Sequence, residues 1–260
     1  MRKIPRVLAA LVAAFTLCVL TACSGGEGPT LSSKKTPVSS TVSAATLTPT
    51  TKPLPGTSYF ATATVPLVNV YDAPGGTTKT NEFVNPWFVN DDPRFPIRTV
   101  FLIEEQKGDW LKVLLPIRPN DSTGWIKRSD VTVTSNPFRI EVDLSDHTLE
   151  VLKNDQVIME DKVAIGKSST PTPVGRFYLR VLVKPPDPNT VYGPYAYGLS
   201  SHSEALLEFN GGDAEVGIHG NNDASVLGKD VSNGCIRMDN AKITQLATML
   251  PLGTPVEVQA

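Results

Sequence analysis

Alternating apolar and polar positions dominate the chain from Phe138 onward. The apolar residues that recur at every second position are Ile140, Val142, Leu144, Leu149 and Val151. A period of two predicts half-buried β-strands. Polar turns at residues 145–147 and 153–155 divide the pattern, so it predicts an antiparallel meander.

Residues 59–134 carry shorter apolar runs and predict a small, separate β domain. In the stretch TATVPLVNVYDAPGG, a segment rich in β-branched residues is followed by an Ala-Pro-Gly-Gly turn. The stretch RTVFLIEEQKGDWLKVLLP places a Lys-Gly-Asp turn between two strand-like runs, which is typical of a β-hairpin. The stretch STGWIKRSDVTV adds one more short strand.

A helical period occurs once, from about Asn240 to Leu250. Its apolar face consists of Ile243, Leu246, Ala247 and Leu250. Asp239 or Asn240 can cap the first turn, and Pro251 and Gly253 end the helix. The pattern therefore predicts a mainly β protein, in which a second domain at residues 137–259 carries a single short C-terminal helix.

The first 22 residues are typical of a secretory signal peptide. The basic segment MRKIPR precedes the apolar run VLAALVAAFTLCVL, which is shorter than the roughly 20 residues of a membrane-spanning helix. An uncleaved N-terminal anchor is the alternative. The next residues, Leu-Thr-Ala-Cys, resemble a bacterial lipobox. That resemblance implies that Cys23 is lipidated and that the protein is extracytoplasmic, anchored to the cell membrane and facing the cell wall.

Residues 23–58 predict a disordered tether. Ser, Thr and Pro occupy 20 of the 35 positions from Ser24 to Ser58, and none of the 35 is aromatic. Such a segment buries too little apolar surface to offset the entropy lost on ordering. A tether of this kind would let a membrane-anchored domain act some distance from the lipid.

The net charge and the cysteine content limit the classes of function that the chain can have. Without the predicted signal peptide, 21 of the 24 basic residues remain against 26 acidic ones, a net charge of about −5, so no nucleic-acid partner is expected. Cys18 lies in the signal peptide and Cys23 would be acylated, which leaves Cys235 without an intramolecular partner. In an oxidising compartment, an unpaired thiol indicates a reactive cysteine more than a cysteine that only packs in the core.

A reactive cysteine needs a base, and His219 is the best candidate. It ends the strand-like run AEVGIH, and a Gly- and Asn-rich loop connects it to Cys235. Such a loop can bring the imidazole to the thiol, and an adjacent imidazolium lowers the pKa of a thiol. His147 in a turn and His202 in a loop are expected to be solvated. On spacing alone, a packed histidine and an unrelated thiol remain the alternative.

Two motifs resemble those of the L,D-transpeptidase catalytic domain family. The stretch IHGNNDASVLGKDVSNGCIRM resembles its His-Gly, loop, Ser-His-Gly-Cys-hydrophobe-Arg signature, and AIGKSSTPTPVGRFYL resembles its Gly-Lys-x-x-x-Pro-Thr-Pro-x-Gly-x-Phe segment. YGPYAYGLS and LPLGTPVEV also fit in order. The resemblance covers about residues 137–259 and implies a β-sandwich fold.

The resemblance implies roles for the signature residues. Cys235 would be the nucleophile and His219 the general base, its imidazole oriented by the main-chain carbonyl of Gly220. The backbone N–H groups of Gly234 and Cys235 would form the oxyanion hole. The family's histidine before Gly-Cys is Asn233 here, whose side-chain N–H can still donate to that site.

Two more residues lie beside the nucleophile. Arg237 would bind a substrate carboxylate, with an ordinary surface ion pair as the alternative. Ser232 would shape the loop. No metal or other cofactor is implied, because the Cys and His spacing matches no usual zinc pattern.

The chemistry that the resemblance implies is acyl transfer on peptidoglycan stem peptides. The thiolate of Cys235 would displace D-alanine from a diamino acid, and a side-chain amine of a second stem peptide would resolve the thioester. Water as acceptor would make an L,D-carboxypeptidase, and a protein acceptor would be attached to the wall. The residues also fit a cysteine peptidase or a catalytically silent peptidoglycan-binding protein, and Asn233 favours the latter. Carbapenem-type inhibitors are expected to acylate the same thiol.

The N-terminal β region also resembles a known family. The stretch GDWLKVLLPIRPNDSTGWIKRSDV resembles bacterial Src-homology-3-like barrels through a Trp-x-x-Val strand followed by a Gly-Trp-Ile strand. This resemblance implies a small barrel over residues 59–134. Trp110 and Trp125 are expected to pack in its core, and binding of a wall ligand is the alternative.

Overall fold

The computed structural model describes residues 56–89, 92–209 and 211–260. The predicted signal peptide, the predicted lipidation site at Cys23 and nearly all of the predicted tether lie outside the described residues. Within them the chain is mainly β with a single α-helix, as the pattern predicted. The described part of the chain has no helix that is both long and apolar enough to cross a membrane.

The described residues of the N-terminal β region, 56–89 and 92–136, form nine strands. They are β1 (Ser58–Ala63), β2 (Leu67–Tyr71), β3 (Lys79–Val84), β4 (Trp87–Phe88), β5 (Pro96–Ile97), β6 (Val100–Lys107), β7 (Trp110–Leu114), β8 (Thr123–Lys127) and β9 (Val131–Asn136). Seven of them form one sheet in the order β3-β2-β8-β7-β6-β1-β9, and β4 pairs with β5. The predicted hairpin is confirmed between β6 and β7, where Gly108 adopts a φ of 58° in the turn.

The core of this region excludes the two tryptophans. Its fully buried side chains include Val68, Val70, Phe101, Leu111, Val113 and Ile126. Trp110 and Trp125 are only half-buried, and Trp110 stacks edge-on against Tyr71 with ring centroids 5.2 Å apart. The expectation of core packing was therefore wrong, because the alternation of β7 and β8 turns the aliphatic residues inward and the tryptophans outward. The Src-homology-3-like assignment stays a prediction.

The part of the C-terminal region that the structure describes, residues 137–209 and 211–260, forms ten strands and the helix. They are β10 (Phe138–Asp143), β11 (Thr148–Lys153), β12 (Gln156–Lys162), β13 (Ile165–Gly166), β14 (Gly175–Val183), β15 (Ala196–His202), β16 (Glu215–His219), β17 (Asp230–Ser232), β18 (Ile236–Arg237), α1 (Asn240–Met249) and β19 (Pro255–Gln259). Eight strands form one mixed sheet in the order β12-β11-β10-β19-β14-β15-β16-β18, and β13 pairs with β17. The start of β14 pairs with β19 and its end with β15, so β14 joins two halves that enclose one core.

The local predictions in this region are confirmed. Strands β10, β11 and β12 form the antiparallel meander, and Asn154 and Asp155 make its second turn at positive φ. Asp239 caps α1, because its Oδ1 accepts hydrogen bonds from the N–H groups of Ala241 and Lys242. The helix packs its apolar face on the common core.

A buried seam joins the two β regions. Tyr178 of β14 is fully buried there. The apolar side chains around it belong to the N-terminal sheet and are Val100, Leu102 and Leu114. Gly253 lies so close to Phe60 that a Cβ at this position would be 2.5 Å from the ring carbon Cγ. The C-terminal domain therefore shares part of its packing with the region that precedes it.

Candidate active site

Strand pairing brings Cys235 and His219 together. Strands β16 and β18 pair in parallel, with Ile218 opposite Ile236 and His219 opposite Arg237. Both isoleucines are fully buried in the core. The alternation of a strand therefore turns Cys235 and His219 to the opposite face. On that face the two side chains line one pocket.

The pocket draws its lining from four segments. These are the connection between β14 and β15, the hairpin between β15 and β16, β16 itself and the loop that carries the cysteine. Besides His219 and Cys235, the lining residues are Val191, Tyr192, Ser203, Leu206, Phe209, Ala214, Glu215, Val216, Ser232, Asn233 and Arg237. The surface of the pocket is thus mainly apolar, with polar and charged side chains among its lining residues.

The imidazole of His219 is held by the main chain beside it. Its Nδ1 lies 2.7 Å from the carbonyl oxygen of Gly220. A carbonyl only accepts, so Nδ1 carries the proton and Nε2 is the basic nitrogen. Tyr192 packs edge-on against the ring, with centroids 5.1 Å apart. Gly220 leaves no room for a side chain, since a Cβ there would lie 2.3 Å from Asn240 Oδ1.

Burial shifts His219 and Cys235 toward their neutral forms. Desolvation lowers the pKa of the His219 imidazole to about 4, and the charge of Arg237 acts in the same direction. The hydrogen bond to the Gly220 carbonyl opposes this shift. Desolvation also raises the pKa of the Cys235 thiol above its ordinary value of 9.0, although the Gly217 backbone and Arg237 oppose this. Burial therefore favours the neutral thiol and the neutral imidazole, the opposite direction to the thiol pKa lowered by an imidazolium that the sequence led us to expect.

Ser232 shapes the turn around the cysteine. Its Oγ donates to the Cys235 carbonyl oxygen over 2.6 Å and accepts the N–H of Gly234 over 3.0 Å. Gly234 has a φ of 117°, a conformation that favours glycine. Because its N–H is already bonded, the expected oxyanion donor at Gly234 is not free in this arrangement. The Cys235 N–H has no intramolecular acceptor among the described residues, and the Asn233 side chain is exposed at the pocket.

Two threonines that the sequence patterns did not single out hold this loop from below. Thr172 Oγ1 donates to the carbonyl oxygen of Gly234 and accepts the N–H of Gly166, both over 2.9 Å. Thr170 Oγ1 donates to the carbonyl oxygen of Ser232 over 3.2 Å. Both threonines are buried. They lie within a recognisable family motif, but their partners become visible only once β13 pairs with β17.

Arg237 and the remaining histidines complete the set of predicted residues. Arg237 lines the pocket, and its Nε is buried without a hydrogen-bond partner among the described residues. His202 was expected to be solvated in a loop, but it lies buried in β15 with Nε2 3.1 Å from a carboxylate oxygen of Asp213. His147 Nε2 lies 2.6 Å from Asp230 Oδ1. Neither of these two histidines lines the pocket.

The arrangement suits a cysteine-dependent acyltransferase, in which the base takes the thiol proton as the sulfur attacks. Residues 137–258 match the family model of the L,D-transpeptidase catalytic domain. The match covers slightly less than half of the chain, and it is a similarity of this segment to the family.

Known proteins similar to the chain align with the same segment. YkuD of Bacillus licheniformis, provisionally named an L,D-transpeptidase, is 36% identical over 122 residues, and YkuD of Bacillus subtilis is 34% identical over 122 residues. The alignments cover 47% of this chain and 66% of each relative, slightly less than two thirds of their length. Among solved structures, a mutant L,D-transpeptidase of Enterococcus faecium is 27% identical, with a TM-score of 0.38 over 48% of this chain and 50% of that one. L,D-transpeptidase 3 of Mycobacterium tuberculosis, which carries a faropenem-derived adduct, is 15% identical, with a TM-score of 0.42 over 63% of this chain and 92% of that one.

Proposed function

We propose that this protein is a peptidoglycan L,D-transpeptidase that cross-links stem peptides through a Cys235 thioester and releases D-alanine. The hydrogen bond between His219 Nδ1 and the Gly220 carbonyl carries the proposal, because it leaves Nε2 as the basic nitrogen in a pocket shared with the thiol. The family match over residues 137–258 supports the same chemistry.

In the first half-reaction, Cys235 Sγ attacks the carbonyl carbon between the L-centre of the diamino acid and the terminal D-alanine. His219 Nε2 takes the thiol proton as the C–S bond forms. The carbonyl oxygen becomes an oxyanion, to which the Cys235 N–H and the Asn233 side chain can donate. The imidazolium then returns the proton to the nitrogen of D-alanine, the C–N bond breaks and a thioester remains.

In the second half-reaction, a side-chain amine of another stem peptide attacks the thioester carbonyl. His219 accepts a proton from the amine and passes it to the departing sulfur, which restores the neutral pair. Water in place of the amine would give a tripeptide instead of a cross-link.

Arg237 is proposed to bind a carboxylate of the stem peptide. Its guanidinium lines the pocket, and its Nε has no hydrogen-bond partner among the described residues. A buried donor without a partner costs free energy, so a carboxylate that accepts from it would be stabilised. The same positive charge favours the thiolate as it forms.

Intact-mass spectrometry tests the proposal. The purified protein is incubated with a disaccharide-tetrapeptide and, separately, with a carbapenem. We expect an adduct that is absent from Cys235→Ala, together with a cross-linked dimer that has lost one D-alanine. A tripeptide as the sole product would show carboxypeptidase action. No adduct from either reagent, with the circular dichroism unchanged, would contradict enzymatic activity and favour a protein that only binds peptidoglycan.

We also propose that the protein is exported and anchored to the membrane through a lipid on Cys23. The lipobox-like Leu-Thr-Ala-Cys and the Ser-, Thr- and Pro-rich segment after it support this. In a bacterial host, the protein should enter the membrane fraction with the mass of acyl groups on its N-terminus. Cys23→Ser should lose both properties, and a wild-type protein without acyl mass would contradict the anchor.

A further inference from the structure

One side of the pocket is a hairpin that extends β15 and β16 beyond their ends. We call residues 203–209 and 211–215 the pocket wall. Ser203 N–H donates to the Ala214 carbonyl over 2.9 Å, and Phe209 and Gly212 exchange a pair of 3.0 Å main-chain bonds nearer the tip. The wall residues that line the pocket are Ser203, Leu206, Phe209, Ala214 and Glu215. Its position therefore sets the shape of the pocket that also contains the thiol.

Arg118, from the loop between β7 and β8, ties the two arms of this wall together. Its Nη2 donates to the carbonyl oxygens of Leu206, over 2.8 Å, and Asp213, over 3.1 Å. Its Nη1 lies 3.6 Å from the carboxylate of Asp213. Leu206 is on the outgoing arm and Asp213 on the returning arm. A single guanidinium of the N-terminal region thus bridges both, with charge-assisted hydrogen bonds.

Two further contacts fasten the base of the wall to the same region. Asn120 pairs with the main chain of His202 in both directions, since Nδ2 donates to its carbonyl and Oδ1 accepts its N–H, each over 2.9 Å. On the other arm, Glu215 pairs with Arg180, and the Arg180 guanidinium lies 4.1 Å from the ring centroid of Trp87. The outgoing arm therefore has a direct partner in the N-terminal region, and Glu215 of the returning arm is linked to that region through Arg180.

We propose that Arg118 is a positioning residue for substrate, so that the N-terminal region forms part of the active site and does not merely space it from the membrane. This inference rests on the proposed transpeptidase function. Arg118 does not itself line the pocket, and it acts through the main chain of Leu206 and Asp213. Its loss should let the wall move away from the substrate while His219 and Cys235 keep their places.

Kinetics of Arg118→Ala test the proposal. We expect kcat/KM for acylation of Cys235 by the tetrapeptide to fall by about tenfold, mainly through a higher KM, because substrate binding needs the wall. Alkylation by iodoacetamide, which is too small to need the wall, should keep its wild-type rate. Arg118→Lys keeps the charge but donates from one nitrogen, so its kcat/KM for acylation should lie between those of the wild type and Arg118→Ala. If Arg118→Ala does not fold, Arg118→Lys takes its place in the same comparison.

Arg176→Ala is the matched control. Arg176 also links the two regions, through a 2.9 Å bond to Glu104, but it contacts no residue of the pocket wall. It should acylate at the wild-type rate. Wild-type acylation by Arg118→Ala, an equal loss in Arg176→Ala, or an equal loss of iodoacetamide reactivity would overturn the proposal.

Hydrogen exchange separates this proposal from the proposed function. The amides of residues 204–209 and 211–214 should exchange about tenfold faster in Arg118→Ala than in the wild type, and at the wild-type rate in Arg176→Ala. If the wild type is not acylated, the transpeptidase proposal fails, and faster exchange in Arg118→Ala would still support the anchoring of the wall. Unchanged exchange would overturn the anchoring whether or not acylation occurs.

Discussion

The buried imidazole of His219 gives the proposed reaction an unusual pH dependence. Its pKa is lowered to about 4, so it is unprotonated, and able to accept a proton, at any pH above that value. Acylation should therefore lose rate on the acid side only as the pH falls through about 4, and not near the ordinary 6.5 of histidine. The pH profile of kcat/KM with the tetrapeptide measures this.

The thiol supplies the second half of that test. Because burial raises its pKa, thiolate absorbance in the resting protein should be absent at neutral pH and should develop only above the ordinary pKa of cysteine. A thiolate already present at pH 7, or an acid limb near 6.5, would show instead that the resting pair is an ion pair.

Thr172 offers a second prediction at the residue scale. Thr172→Val keeps the shape of the side chain but leaves the buried N–H of Gly166 without an acceptor and the carbonyl of Gly234 without a donor. We expect a loss of about 1–3 kcal/mol in the free energy of unfolding and slower acylation, because the loop around Cys235 loses its support. Urea denaturation and acylation rates measure the two effects.

The control for this prediction is Thr244→Val. Thr244 sits on the exposed side of α1, where its hydroxyl bonds the carbonyl of Asn240. Thr244→Val should change the free energy of unfolding by no more than about 0.5 kcal/mol, and it should leave the acylation rate unchanged. Equal acylation by Thr172→Val and the wild type would mean that Ser232 alone is enough to shape the loop.

At the scale of elements, local patterns predicted local structure well. The meander of β10 to β12, the β6–β7 hairpin and helix α1 all follow from periodicity and turn residues within about 25 positions of the chain. The parallel pairing of β13 with β17 and of β16 with β18 joins distant segments, and no local pattern announces such pairing. This is why the motif predicted Cys235 and His219 but not the supporting Thr172.

The same limit explains the two corrections near the nucleophile. A sequence shows that Gly234 has an N–H but not that the Ser232 hydroxyl occupies it. It likewise shows two ionisable groups but not their burial, which decides the direction of both pKa shifts. Residue types in the site were therefore predictable, whereas the protonation state and the donor set depend on packing.

The cap of α1 gives a prediction for one element. Asp239→Ala removes the acceptor of the Ala241 and Lys242 N–H groups and should lower the free energy of unfolding by about 1 kcal/mol. Asp239→Asn keeps an acceptor oxygen and should lower it by much less. Thermal denaturation compares the two variants, and an equal loss in both would assign the effect to the charge instead of the cap.

At the scale of the whole molecule, the seam around Tyr178 couples the two β regions. Its ring contacts the N-terminal sheet while its strand belongs to the C-terminal one. Since removal of either region would expose this side chain, the two should unfold together. The three tryptophans, Trp87, Trp110 and Trp125, all lie in the N-terminal region, so their fluorescence reports on that region. It should give the same urea midpoint as circular dichroism of the whole chain. Two separate midpoints would show that the seam is not cooperative.

A matched pair of tyrosines tests what the seam contributes. Tyr178 and Tyr197 are both almost wholly buried, but the Tyr197 hydroxyl lies 3.0 Å from the Leu246 carbonyl and 3.1 Å from that of Leu250. The Tyr178 hydroxyl has no partner among the described residues. Tyr197→Phe should therefore cost about 1–2 kcal/mol, whereas Tyr178→Phe removes an unsatisfied polar group and should leave stability unchanged or raise it by about 1 kcal/mol. Urea denaturation of both variants measures these changes in the free energy of unfolding. An equal loss in both would mean that an ordered water satisfies the Tyr178 hydroxyl inside the seam. The seam would then be a polar junction as well as an apolar one.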